Sequence, residues 1–219
     1  CAYITLKNYY NDNLETKRIA IEKLLSLYLR FSDQDLLLLL PRIKEFILDM
    51  KYPDLIIEKL DLFRNQILNS SANGFYGIYS LTETIVEICL YKKMGSIAQK
   101  NLDLIYDDTN AYHIALQAQI YSLQETMAAH DSLCDLVQGL QEGSRLKLIC
   151  EICFLYLKMK LFPAKSAKEY GEKLINNELY PQYIEYAYLL RNYAELSDDT
   201  EECRHLYDQA LDRFRSNKM

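Results

Sequence analysis

Residues 183–214 read YIEYAYLLRNYAELSDDTEECRHLYDQALDRF. In the first half, Tyr183, Tyr186, Leu189, Leu190 and Tyr193 step by three or four, which puts them on one stripe of a helix. Cys203, Leu206, Tyr207, Ala210, Leu211 and Phe214 repeat the spacing in the second half. Ser197-Asp198-Asp199-Thr200 stands between them, and such short polar side chains satisfy the orphan N–H groups of a helix's first turn. Two amphipathic helices joined so closely pack antiparallel as a hairpin.

Working outward, the same spacing predicts helices over 76–93, 96–107, 110–126, 128–140, 144–161, 163–176, 181–196 and 199–215. Pro163 and Pro181 fall at helix starts, where the missing N–H costs little. Toward the N-terminus helices are expected over 14–31, 33–51 and 54–69, with Pro41 bending the second and Pro53-Asp54 opening the third. No alternating run flanked by hairpin-turn residues suggests a strand. Small side chains recur at Ala98, Ser132, Ala167 and Cys203, at steps of roughly 34 to 36 residues, the period of stacked helical hairpins. Leu102, Leu136, Gly171 and Tyr207 follow four positions later, and Ile105, Gly139, Leu174 and Ala210 seven later. In this register the small residue lets paired helices approach and the others fill the seam between hairpins. Gly74 and Gly77 flank the start of the array, which divides the chain into N-terminal helices over 1–72 and a repeat array over 73–219.

Residues 183–215 resemble the tetratricopeptide repeat, which has aromatic residues and leucine in its first helix and a small residue, an aromatic and Ala-Leu in its second. The matching residues are Tyr186, Leu189 and Tyr193, then Cys203, Tyr207 and Ala210-Leu211. Residues 167–174 are similar to the second helix of the same motif. Leu190 stands where the family has a first-helix glycine, and Pro181 follows only one repeat. Related stacks of helical hairpins share the broader pattern. The resemblance implies an all-α fold, a right-handed superhelix of antiparallel hairpins over about residues 76–215.

Composition removes several function classes. Of 219 residues 50% are apolar, too many for a disordered chain. The longest apolar run, Leu36 to Leu40, is far short of the roughly 20 residues that span a bilayer. Nor do the first residues form a signal peptide, so a cytoplasmic protein with no membrane contact is expected. Cys1 in place of Met reads as a trimmed start, or less often as a lipidated first residue. The net charge of −6 and the interspersed cations argue against direct nucleic-acid binding, because phosphate neutralisation needs a basic face. Lys158, Lys160, Lys165 and Lys168 read as one solvated helix face.

Motifs for catalysis are lacking. Cys150-x-x-Cys153 lies inside an apolar helix, with no second ligand pair for zinc and no helix start to activate a thiol. All six cysteines read as reduced thiols, most of them buried in a core. The Asn69-Ser70-Ser71 sequon matters only in a secreted chain. His113, His130 and His205 belong to no catalytic signature and read as packing or exposed residues. Asp107-Asp108, Asp198-Asp199 and Glu201-Glu202 lie near helix ends, where capping explains them. No cofactor, metal site or enzymatic activity is expected.

The expected function is non-enzymatic binding of a protein or peptide, as a scaffold or adaptor. In the resembling family the first helices line a concave groove that holds an extended peptide or a partner helix. Phasing from the small-residue series puts Glu83, Glu87 and Tyr91 on that face. Gln117, Tyr121 and Gln124 follow, then Tyr156 and Lys160, then Arg191 and Asn192. Amides there would clamp a ligand's backbone while Tyr121 and Tyr156 pack against its side chains. The alternative reading is the peptide-sensing domain of a larger bacterial transcription regulator. The leucines at 36–40 cannot share one helix face, so they are expected in the core, or in a homodimer through the N-terminal helices.

Overall fold

A computed structural model describes residues 75–216 continuously, with side chains from Ile78 onward. Before that it describes only Ile19, Lys23, Leu40, Pro41, Lys44, Ile57, Glu58, Leu60, Asp61, Leu62, Arg64 and Asn65, all helical. The helices expected over 14–31, 33–51 and 54–69 therefore lie largely outside the described residues. So do Leu36–Leu39, Pro53, the sequon and Cys1.

Among the described residues the fold is all-helical, with no strand. In chain order the bounded helices are α1 (Phe75–Tyr91), α2 (Gly95–Leu102), α3 (Ala111–Gln124), α4 (Met127–Gly139), α5 (Arg145–Leu161), α6 (Ala164–Ile175), α7 (Tyr186–Ala194) and α8 (Thr200–Ser216). The chain divides into two compact units, Cys1–Tyr106 and Asp107–Met219. In the first, α1 packs on α2. Leu81, Ile85, Ile88 and Cys89 of α1 and Ala98 and Leu102 of α2 are fully buried. An Arg64 guanidinium N–H donates to the Asn101 side-chain oxygen inside this unit.

The second unit contains two apolar clusters. One joins α3, α4 and α5 through Ile114, Ala118, Ala129, Leu133, Val137, Cys150, Phe154 and Leu157. The other joins α5, α6, α7 and α8 through Leu148, Leu155, Ala167, Leu174, Tyr186, Leu190, Tyr193, Leu206 and Ala210. Helix α5 belongs to both and packs against α3, α4, α6 and α7. Its buried residues, Leu148, Cys150, Cys153, Phe154, Leu155 and Leu157, spread over most of its circumference, as a helix with several neighbours requires.

Polar residues set the helix starts. Asn110, Thr126 and Ser144 cap α3, α4 and α5 by accepting from Tyr112, Ala129 and Lys147 N–H. The Asp199 carboxylate accepts from Glu201 N–H at 2.8 Å and Glu202 N–H at 3.3 Å, as expected of a cap. Glu125 ends α3 in the left-handed region (φ 49°), and Gly143 (φ 70°) turns the chain into α5. Leu179 packs against Gly143 so closely that a Cβ there would collide with it.

Some sequence expectations need correction. Helix α7 begins at Tyr186, five residues beyond Pro181. Tight turns run from Asn177 to Tyr186 instead, with Tyr180 N–H bonded to Asn177 O and Tyr183 N–H to Tyr180 O. Distant acceptors hold that segment: the Tyr183 hydroxyl donates to Gly143 O at 3.1 Å and the Tyr186 hydroxyl to Ile175 O at 2.9 Å. In α4 the seam positions Ser132 and Gly139 are exposed, while Ala129, Leu133 and Val137 turn inward. In α8 Leu206 and Ala210 are buried but Tyr207 and Leu211 are exposed. Ala98, Ala167, Gly171 and Leu174 are buried, in agreement with the small-residue series. A Cβ on Gly171 would stand 2.5 Å from Cδ2 of Tyr193, so α6 and α7 touch where glycine allows close approach.

Candidate binding surface

In α5, Arg145, Ile149, Tyr156 and Lys160 share one face by helical spacing, and these are exposed or half-buried. The corresponding outer stripe of α7 is Tyr188 and Arg191, continued by Glu195 just past its end, all exposed. The two helices pack together, and an ion pair joins their starts: Arg145 Nη2 lies 2.6 Å from Glu185 Oε1. That hydrogen-bonded carboxylate holds the exposed Arg145 guanidinium above its ordinary pKa.

Aromatic–cation pairs lie on each of these two helices. The Lys160 ammonium lies 5.3 Å from the centroid of the Tyr156 ring. The Arg191 guanidinium lies 5.5 Å from the centroid of Tyr188, whose ring meets Phe214 edge-on at 4.8 Å. In the first unit, Lys92 lies 5.4 Å from the centroid of Tyr91, which is 65% exposed. Such pairs present a flat apolar ring and a cation to solvent together.

The remaining candidate residues are dispersed. Gln117 and Asn192 are buried at 6% and 4% exposure. Asn192 accepts from Arg191 at 3.0 Å, so its amide oxygen anchors that guanidinium. Tyr121 is half-buried against the α3–α4–α5 cluster, and Gln124 is exposed at the end of α3. Tyr112 and Gln119, seven residues apart, form the outward face of α3, and Gln117 lies on the opposite side; Gln124 shares the Gln117 side and is exposed at the end of the helix. In the first unit, Glu87 forms an ion pair with Lys44 at 2.6 Å, and Glu83 is half-buried.

Two arrangements were not legible in the sequence. The Lys158 ammonium lies 4.9 Å, 5.0 Å and 5.6 Å from the ring centroids of Phe154, Phe162 and Tyr170. His130 packs on Phe154 and Phe162, each at 4.8 Å. Lys158 thus serves an internal aromatic cluster instead of a solvated stripe. Beside it, buried Glu151 accepts from the Tyr180 hydroxyl, and buried Lys147 bonds to Glu142. Burial pushes the Glu151 carboxyl above its ordinary pKa, against the lowering effects of the Tyr180 hydrogen bond and Lys147. Phe154 and Phe162 flank Lys158 at four-residue spacing, but the contacts of Tyr170 and His130 with that cluster and of Tyr180 with Glu151 join residues distant in sequence, which spacing does not reveal.

Cys150 and Cys153 are core thiols pushed up to about 12 by burial. His113 is buried, and its Nδ1 accepts from Asp107 N–H at 3.2 Å. Among the described residues no group of His, Cys, Asp and Glu side chains could hold a metal ion. No described helix is long and apolar enough to cross a membrane.

No protein family, curated protein or solved structure matches the chain in any of three comparisons.

Proposed function

We propose that the second unit is a non-enzymatic binding module for a protein or peptide segment bearing carboxylates. Its outer α5–α7 face is the proposed docking surface, and its helices form a stack of hairpins of tetratricopeptide type. The observation that carries this reading is the pairing of a tyrosine ring with a cation on both helices, Tyr156 with Lys160 and Tyr188 with Arg191. A tyrosine contributes contact area at low entropic cost, and the neighbouring cation selects an acidic ligand. Stacking is supported by the order of contacts, in which α3 packs on α5 and α5 on α7, the first helix of each hairpin against the next.

A peptide array probed with the purified chain tests the proposal. Acidic peptides should be retained, and the Tyr156→Ala, Lys160→Glu, Arg191→Glu variant should bind them at least about tenfold more weakly. Unchanged circular dichroism is expected, since Lys160 and Arg191 are exposed and Tyr156 is only half-buried. Equal retention by variant and parent, or a preference for basic peptides, would sink the assignment.

A further inference from the structure

Helix α8 buries Leu206 and Ala210 against the rest of its unit but leaves Tyr207 40% and Leu211 44% exposed. The step from Ala167 to Cys203 carries Gly171 onto Tyr207 and Ile175 onto Leu211. On α6 those two positions are covered: Gly171 lies against the Tyr193 ring of α7, and Ile175 packs into the cluster that α7 helps to form. The Tyr207–Leu211 face of α8 is therefore built like a face that elsewhere receives the next helix.

The charges on α8 indicate what covers it. Exposed Glu201, Arg204, Asp208, Asp212 and Arg215 lie along the stripe that borders Tyr207 and Leu211. Reversing the helix about Asp208 exchanges Glu201 with Arg215 and Arg204 with Asp212, so these four charges fall on their opposites and Asp208 alone meets a like charge. A parallel copy would instead meet like charges throughout. The existing Arg215–Asp212 contact is loose at 3.9 Å, with both side chains more than two-thirds exposed, and leaves both groups available to a partner.

We infer that α8 is a self-docking face: a second copy of the chain lays its own α8 antiparallel across it. Tyr207 of each copy meets Leu211 of the other, flanked by Glu201–Arg215 and Arg204–Asp212 pairs formed twice. This is the isologous geometry of a twofold dimer, in which one patch complements itself. The two Asp208 carboxylates meet near the axis and oppose association, which gives the interface a distinctive charge signature. Helix α8 packs on α7, with Phe214 against the Tyr188 ring, but Arg204, Asp208, Leu211 and Asp212 belong to none of the tyrosine–cation pairs, so loss of peptide binding in the Tyr156, Lys160, Arg191 variant and loss of self-association in the α8 variants are separate readouts.

Sedimentation velocity of the full chain over a concentration series tests the inference. A monomer–dimer equilibrium is expected, weakened at least about tenfold by Leu211→Glu. Arg204→Glu and Asp212→Arg should each weaken it, and the chain carrying both should recover, since the exchanged charges again oppose each other. Asp208→Asn should tighten it. All these residues are exposed, so circular dichroism should be unchanged in every variant. A chain that stays monomeric at about 100 µM overturns the inference, as does a dimer indifferent to Leu211→Glu or one that the paired charge exchange fails to rescue. A monomer whose α8 captures a different protein also overturns it.

Discussion

At the scale of single residues, Glu151 has the clearest consequence for stability. It is 7% exposed, hydrogen-bonded by Tyr180, and its carboxyl is raised chiefly by desolvation. With a folded-state pKa above the unfolded value, the native chain keeps a proton that the unfolded chain has released. Stability from this group is therefore full below about 4.5 and falls as pH rises from there through the folded pKa. Glu151→Gln retains an acceptor for the Tyr180 hydroxyl and removes the titration. Urea midpoints should show the variant gaining on the parent as pH rises from acid to neutral; a constant difference across that range would refute the assignment. The raised pKa was not legible in the sequence, where Glu151 is one acid in an apolar helix. Its hydroxyl partner, Tyr180, lies in the turns before α7, 29 residues away.

At the scale of elements, the contact between α6 and α7 turns on the absence of a side chain. Gly171 was legible in the sequence as part of the small-residue series, and the structure adds the reason, a Tyr193 ring only 2% exposed that cannot move aside freely. Gly171→Ala gains about 1 kcal/mol of helix propensity and meets an overpacking cost of about 1–3 kcal/mol, so a net loss of stability is expected. Gly139, at the end of α4, has nothing within 4 Å of its would-be Cβ and no positive φ. Gly139→Ala should instead stabilise by about 0.4–1 kcal/mol. Urea denaturation of the two variants should give shifts of opposite sign. The same sign for both would remove the close approach as the role of Gly171. Of the helix caps, the sequence reading named the Ser197–Thr200 segment, where Asp199 acts; the structure adds Asn110, Thr126 and Ser144, which likewise serve N–H groups within three residues of themselves.

At the scale of the whole molecule, the second unit encloses both of its apolar clusters within residues 107–219. A unit that holds its own core can fold alone. The fragment 107–219 should therefore be helical and unfold in one cooperative transition, with a stability of roughly 5–15 kcal/mol typical of single domains. Circular dichroism and urea titration of that fragment check this. A fragment with little helix, or with a non-cooperative slope, would show that its core depends on the preceding residues.

The all-helical class, the number of helices beyond residue 107 and most helix ends could be read from the sequence alone, since they rest on local spacing and on caps that act within a turn. Tertiary structure decided the inward face of each helix. Helix α5 packs against four helices and buries Lys147 and Glu151 alongside its apolar residues, so its own pattern does not mark its inward face. In α3 the buried residue is Gln117 and the exposed one Gln119, and in α4 Ala129 points inward while Ser132 does not. The turns from Asn177 to Tyr186 likewise replaced a predicted first turn of α7, because the hydroxyls of Tyr180, Tyr183 and Tyr186 bond to Glu151, Gly143 and Ile175. Spacing within a helix records amphipathicity, but which of two moderately apolar sides is covered depends on neighbours that only the folded chain brings together.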